Sequence, residues 1–325
     1  MLGKVDPETL RRLVLGRTGA PREDVLQGPA YGEDAAAVDV DGTTLVVNTD
    51  PISMAADRVG SLGVTVACND VAASGGRPAW LTDVVFLPGG ADDPAAVLDR
   101  VTAQVDETAS DLGVSVVGGH SEYVSALATP LLVFTCLGPA ERYVPTGGAR
   151  PGDRLLVTKA AGIEATAILA TDFRASLADA VDAAVLDRAA TFYRDVSVLP
   201  DGAALAPHAD AMHDPTEGGL VDGLFEMAAA AGVELDVDPA AVPVRPETAT
   251  LCDAAGVDPF RVFGSGMLVA AVPPADVEAA TAALADRDVP VADVGVVREA
   301  ATPRLVLGAE TFEAPVRDEM YALWE

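Results

Sequence analysis

Short β-branched runs, each closed by an acid or a glycine pair, alternate with segments of helical period along the whole chain. This alternation constrains the fold more than any other feature. "TLVVNTD" (44–50) reads as a strand, and "ADRVGSLGVTVACNDVAASGG" (56–76) has helical spacing. "WLTDVVFLPGG" is a strand stopped by Pro-Gly-Gly, and residues 93–113 form a long helix from an Asp-Pro cap to a glycine. "VSVVGG" and "TPLLVFTCLG" add strands. "VPTGGARPGDRL" (144–155), rich in Pro and Gly, reads as a linker. Beyond it the pattern resumes with strand "RLLVT", a glycine and a helix, then strand "ADAMHD", a helix over 216–231 and strand "VELDVD". A short helix near "PETATLCDAAG", the strand "GMLVAAV", a further helix and the strands "VADVGVV" and "RLVLG" complete it. The expectation is two α+β domains, 1–147 and 148–325.

The chain has 325 residues, half of them hydrophobic, with a mean hydropathy of +0.29, so a large core is available and disorder is not expected. No apolar run reaches the ~18–20 residues of a membrane helix, and the N-terminus has no signal-peptide pattern. Fifty Asp and Glu against twenty-one Lys and Arg give a net charge of −29. A field of that sign repels nucleic acid and anionic membranes. The acids are spread rather than blocked, which reads as adaptation to high salt. Only two lysines occur, Lys4 and Lys159. Cys68, Cys136 and Cys252 stand alone and fit reduced, buried thiols in a cytoplasm.

Candidate chemistry lies at strand ends. In "YGEDAAAVDVDG" Asp34 is either a turn residue or a metal carboxylate. "NTDP" puts Asn48, Thr49 and Asp50 where a strand ends; Mg²⁺ takes such oxygens, and turn chemistry explains Asp-Pro equally well. In "CNDVAASGG" helical geometry puts Val59, Leu62, Val66 and Ala73 on one face, with Asn69 and Asp70 about 50° to either side. A carboxylate at that edge needs a hydrogen bond, a cation or a metal. "VVGGHSEYV" runs a strand into Gly118 and Gly119, whose backbone can approach a phosphate, followed by His120 and Ser121. "VTKAAGIEAT" puts Lys159 at a strand end and Gly162 at a helix start, where anions are favoured. Neither a P-loop nor G-x-G-x-x-G occurs. In "HDPTEGG", Asp214 reads as an N-cap, Pro215 as the first helical residue and Glu217 as the third position of a capping box. Gly218 and Gly219 do not suit that account, so Asp214 and Thr216 are also candidates for a ligand site.

"GEDAAAV", "NTDP", "NDVAASGGRP", "GGHSE", "TKAAGIE", "HDPTEGGL" and "FGSGMLVAAVPP" follow in this order. Together they resemble the PurM-like ATP-binding superfamily: aminoimidazole ribonucleotide (AIR) synthase, HypE, selenophosphate synthetase and thiamine-monophosphate kinase. The likeness is nearest to archaeal HypE-like, AIR synthase-related proteins. It implies a two-domain α+β fold whose N-terminal domain pairs with its copy as a β-barrel across a homodimer, with ATP in the cleft between domains. It further implies Mg²⁺ on Asp34, Asp50, Asp70 and Asp214. Asn48, Thr49, Asn69, Gly118, Gly119, Ser121, Gly162 and Thr216 would lie around the nucleotide, with His120 and Lys159 in catalytic roles. His120 stands where most of the family has an acid. The sequence ends "VRDEMYALWE", without the cysteine tail of HypE, and "LGRTGAPREDVLQGPAYGED" lacks the Cys or Sec of selenophosphate synthetase. The expected activity is Mg²⁺-dependent phosphorylation or ATP activation of a small molecule. Cyclisation and kinase chemistry both yield ADP, whereas a selenophosphate-like reaction yields AMP. The alternative is a non-catalytic, nucleotide-binding maturation or regulatory protein that docks a protein partner.

Overall fold

The computed structural model describes residues 3–54 and 57–325. The strands are β1 (Val25–Gln27), β2 (Ala36–Val40), β3 (Thr43–Ile52), β4 (Trp80–Pro88), β5 (Ser115–Val124) and β6 (Leu131–Ala140), then β7 (Arg154–Thr158), β8 (Ala211–His213), β9 (Glu234–Val237), β10 (Val269–Val272), β11 (Val291–Arg298), β12 (Arg304–Leu307) and β13 (Glu310–Phe312). They form two mixed sheets. The first has the order β1-β2-β3-β6-β4-β5 and the second β13-β12-β9-β11-β7-β10-β8. Only β4–β5 and β12–β9 are parallel. The fold is therefore α+β, and the alternation read from the sequence corresponds to these two units. The first sheet is open within one chain; the barrel expected from the resemblance is not closed among the described residues.

The helix Val59–Ala73 is buried along nearly its whole length, Cys68 included, rather than on one stripe. It lies between the first sheet and the second half of the molecule, so it is apolar all round. The contact is close: a methyl group at Gly63 would collide with the Phe134 ring and with Ile52. The sequence predicts a helix over 93–113, and Pro94–Leu112 is one, with Asp93 accepting from Ala96 N and Gly113 left-handed after it. The linker at 144–155 is ordered. Glu33 accepts from the Thr146 and Gly147 amides at 3.0 Å each and from Tyr143 Oη at 3.1 Å.

One expectation fails locally. The helix after "HDPT" begins at Gly219, not at 216, and Gly218 before it is left-handed at φ +78°. Asp214 is not its cap, because neither carboxylate oxygen has a hydrogen-bond partner.

Gly63→Ala is expected to destabilise the fold by about 1–3 kcal/mol, the usual cost of overpacking a filled core. Chemical or thermal unfolding of the purified variant measures it.

Candidate functional site

Four aspartates approach one another where the two sheets meet. Asp34 precedes β2, Asp50 lies on β3, Asp70 on the helix Val59–Ala73, and Asp214 directly follows β8. Asn48 on β3 ties three of these segments together. Its Nδ2 donates to Asp70 Oδ2 at 2.6 Å, to Asp50 Oδ2 at 3.0 Å and to the Asp34 carbonyl at 3.3 Å. Asp34 Oδ2 in turn accepts from the Asp214 amide at 3.1 Å. Asp70 and Asp214 are buried, at 5% and 1% exposure. Both carboxyls are held well above the usual carboxylate range. Burial is the main cause for each; Asp50, Asp34 and Asp214 add to it at Asp70, and Asp34 adds to it at Asp214.

The cation facing this group is His213, on which the sequence reading placed no role. Nδ1 lies 2.6 Å from Asp34 Oδ1, and Nε2 lies 3.2 Å from Glu226 Oε2. Burial disfavours the charged ring, but Asp34 and Glu226 outweigh it and lift the pKa to about 10. Glu226, despite its burial, is drawn down to about 2 by Lys4 and then by His213. His213 is thus an imidazolium between two carboxylates, hydrogen-bonded to Glu226 and in ion-pair contact with Asp34.

Burying Asp34, Asp70 and Asp214 beside one imidazolium, with Asp50 half-buried next to them, is costly unless further positive charge or protons are present. The donor set is entirely oxygen, and both oxygens of Asp214 are free of hydrogen bonds. Among the described residues no three His, Cys, Asp or Glu side chains are arranged to hold a metal ion on their own. These features fit Mg²⁺, which usually takes one or two carboxylates and completes its octahedron with water and phosphate oxygens. They do not fit a metal needing a full protein cage.

The other sequence candidates have different surroundings. Lys159, left-handed at φ +53°, does not turn to the aspartates. Its ammonium donates to the Ser197 carbonyl at 2.6 Å and the Asp195 carbonyl at 3.3 Å and pairs with buried Asp201 at 3.2 Å. Asn69 is fully buried. It donates to the Val196 carbonyl and accepts from the Val198 amide, both at 2.9 Å, so it joins the two halves. Gly118, Gly119, His120 and Ser121 form no turn. They continue β5 and pair with β4 from Thr82 to Val85, and His120 is exposed near Glu122. Thr49 Oγ1 meets Thr135 Oγ1 at 2.9 Å. Gly162, at φ +69°, caps the helix Ile163–Thr171. The Thr216 carbonyl accepts from the Gly219 and Gly264 amides at 3.0 Å each.

Glu226 and Lys4 also escaped the sequence reading. Asp222 and Glu226, four apart in a helix of high apolar content, carried a readable signal, because such pairs share one face. Lys4, 222 positions from its partner, carried none.

Two sheets with a cluster of acids at their boundary define the class: a two-domain α+β protein with a largely buried acidic site between its halves. The family follows from the comparisons. The model of AIR synthase related protein, N-terminal domain, matches residues 32–140, and that of the C-terminal domain matches residues 150–308. The chain belongs to the AIR synthase-related, PurM-like family. It is 32% identical to carbamoyl dehydratase HypE of Rhodobacter capsulatus, over 81% of this chain and 78% of that protein. A protein of Methanocaldococcus jannaschii named for hydrogenase expression and formation is 24% identical, over 85% of this chain and 82% of its own length. The likeness therefore extends to bacterial as well as archaeal members. A solved structure of HypE in complex with ATP superposes with a TM-score of 0.72 at 25% identity, covering 95% of this chain and 93% of that one. No helix among the described residues is long and apolar enough to cross a membrane.

Two further buried acids of the second half predict a pH response. Burial lifts Glu164 from 4.5 to about 7 against the opposing Ser265 contacts, and lifts Asp318 from 3.8 to about 7 against the Gly218 and Met320 amides. Each native pKa exceeds its unfolded value, so the native state keeps a proton that the unfolded chain has released. The stability contributed is full below the unfolded values and is lost as pH rises through 7. His213, raised from 6.5 to about 10, acts in the same direction at higher pH. The unfolding temperature is expected to fall between about pH 5 and 9. Glu164→Gln should be more stable than the wild type near pH ~8 and alike near pH ~4. Thermal unfolding at fixed ionic strength checks both.

Proposed function

We propose that this chain is a Mg²⁺-dependent, ATP-using enzyme that phosphorylates or otherwise activates a small molecule, with the nucleotide in the cleft between its two sheets. The observation that carries the reading is the set Asp34, Asp50, Asp70 and Asp214 at the boundary of the two sheets, Asp50 and Asp70 joined by Asn48 and Asp34 paired with His213, with Asp214 buried and both its oxygens unpartnered. Membership of the AIR synthase-related family and the likeness to an ATP-bound HypE support it.

When bound there, Mg²⁺ supplies Lewis-acid neutralisation of the phosphate oxygens. The chain's own part is positioning. Asn48 aligns Asp50 and Asp70 through one amide nitrogen, so the two carboxylates keep a fixed relation as charge shifts in the site. His213 fixes Asp34 and adds positive charge near the transferred group, but as an imidazolium it has no free nitrogen lone pair and is no proton acceptor. Lys159, tied to Asp201 and two carbonyls, acts by holding the 195–201 segment in place. Phosphoryl transfer needs little more from a protein than such placement and charge.

Calorimetric titration with ATP, with and without Mg²⁺, tests this. Wild-type protein should bind Mg²⁺-ATP, and absence of binding at every salt concentration would refute the reading. Asp70→Asn should weaken binding by about tenfold or more, since even groups outside a metal's first ligands matter on that scale. The same change removes a repelled buried carboxylate, so it should raise the unfolding temperature while binding falls.

The enzyme acts as a homodimer in this reading. β5 is an edge strand, exposed from Ser115 to Tyr123, with Val117 at 59% and Tyr123 at 58% exposure beside Trp80 at 45% on β4. A long, exposed edge that carries large apolar side chains is what proteins cover. A second copy would bury it, and with it Gly118, Gly119, His120 and Ser121. Sedimentation should give a dimer at micromolar concentration, and Val117→Glu should give monomers; a wild-type monomer refutes the assignment.

A further inference from the structure

The N-terminal segment Gly3–Leu10 lies across the second half of the molecule as a strap. None of the residues Pro7–Leu10 is buried, so core packing does not hold it. Beneath it is a cavity of about 340 Å³, bounded among others by Tyr31, Glu217, Asp222, Glu226 and Tyr321. What fastens the strap is Lys4. Its amide donates to Glu217 Oε2 and its ammonium to Glu226 Oε1, each at 3.2 Å.

Glu226 is 7% exposed, and its other oxygen faces His213, whose far nitrogen faces Asp34. Four side chains therefore alternate in sign: Lys4, Glu226, His213, Asp34. They begin at the surface, pass through the second half of the molecule and end on a carboxylate of the first. We propose that Lys4 is a positioning residue for the nucleotide site, acting through Glu226 and His213 to orient Asp34. This rests on the function proposed above, and it adds that the strap, remote in sequence from every motif, is part of the site.

The reason is electrostatic. In a low-dielectric chain each member is oriented by both neighbours, and removing an end redistributes the bonds of the rest. Without the Lys4 ammonium, Glu226 is a buried carboxylate with the imidazolium as its remaining cation. It then competes with Asp34 for that ring, and the 2.6 Å contact between His213 and Asp34 loosens. Outer partners of this kind typically govern metal affinity by about ten- to a hundredfold. Because the strap is exposed, replacing Lys4 leaves the core intact.

The test uses the full chain with Lys4→Met and Lys4→Arg. First, ¹⁵N-histidine NMR without nucleotide should show the ring signals of His213 displaced in Lys4→Met, with those of His120 and His208 unchanged. Second, calorimetry should show Mg²⁺-ATP binding weakened about tenfold or more in Lys4→Met. Binding of ATP in EDTA should stay at the wild-type value, the unfolding temperature should fall as the buried Glu226 loses its partner, and Lys4→Arg should restore both the stability and the Mg²⁺-dependent part of binding. An unmoved His213 signal in Lys4→Met, or wild-type Mg²⁺-ATP affinity, overturns the inference and leaves the proposed function standing. A wild-type protein that binds no Mg²⁺-ATP overturns both.

Discussion

The contact between Asp34 and His213 is the interaction on which the rest of the site depends. One residue precedes the second strand of the first sheet, and the other ends the short strand at the edge of the second. Their 2.6 Å pairing in a buried place fixes the two halves to each other and sets the sign of the cleft. Without the imidazolium, Asp34, Asp70 and Asp214 would be buried together with no cation of the chain's own beside them. With it, the site remains short of positive charge, which is the condition for recruiting a cation with its phosphate. A second tie, from Asn69 to Val196 and Val198, holds the same boundary by neutral hydrogen bonds. The boundary is therefore defined without consuming the charge the site needs.

The glycines of "HDPTEGG" belong to this mechanical problem. Gly218 and Gly219 are both left-handed, and a Cβ on Gly219 would strike the Val262 carbonyl. Their freedom lets the chain leave β8, keep the Asp214 carboxylate clear of the helix start and enter a helix with a turn too tight for other residues. The Gly218 amide is held by Asp318 at 2.7 Å, so the C-terminal segment closes the loop from behind. Capping and site are not alternatives here. Because the helix starts four residues later than the capping pattern suggests, at Gly219 rather than Pro215, the Asp214 carboxylate is left with no amide to cap.

The sequence made the acids legible because each sits where a strand or helix pattern breaks, and local pattern is what a single chain displays. It also gave both sheets, through alternation and turn residues. What it hid was direction. Lys159 stands at a strand end before a helix, as a phosphate-binding lysine would, but its partner Asp201 and the carbonyls of Asp195 and Ser197 lie some forty residues on, and only tertiary packing brings them near. Asn69 shows the same limit, since a helical wheel gives its face but not the backbone across it. The pair Gly118–Gly119 looked like a turn because glycines interrupt strands. In the fold they extend one, and a Cβ on Gly119 would run into Asp83 of the neighbouring strand.

The scarcity of lysine sharpens the chemical conclusion. The chain has two, and each is committed to a buried carboxylate: Lys4 to Glu226 and Lys159 to Asp201. Neither ammonium is free to meet a phosphate in the cleft. A phosphoryl-transfer site that lacks a free lysine must neutralise charge by another cation, and the aspartates are arranged to admit one. The 50 acids of the chain therefore fall into two populations with different physics. Most are exposed to solvent. Asp34, Asp70 and Asp214 are withheld from water at a cost in folding stability, a cost that solubility alone would never require.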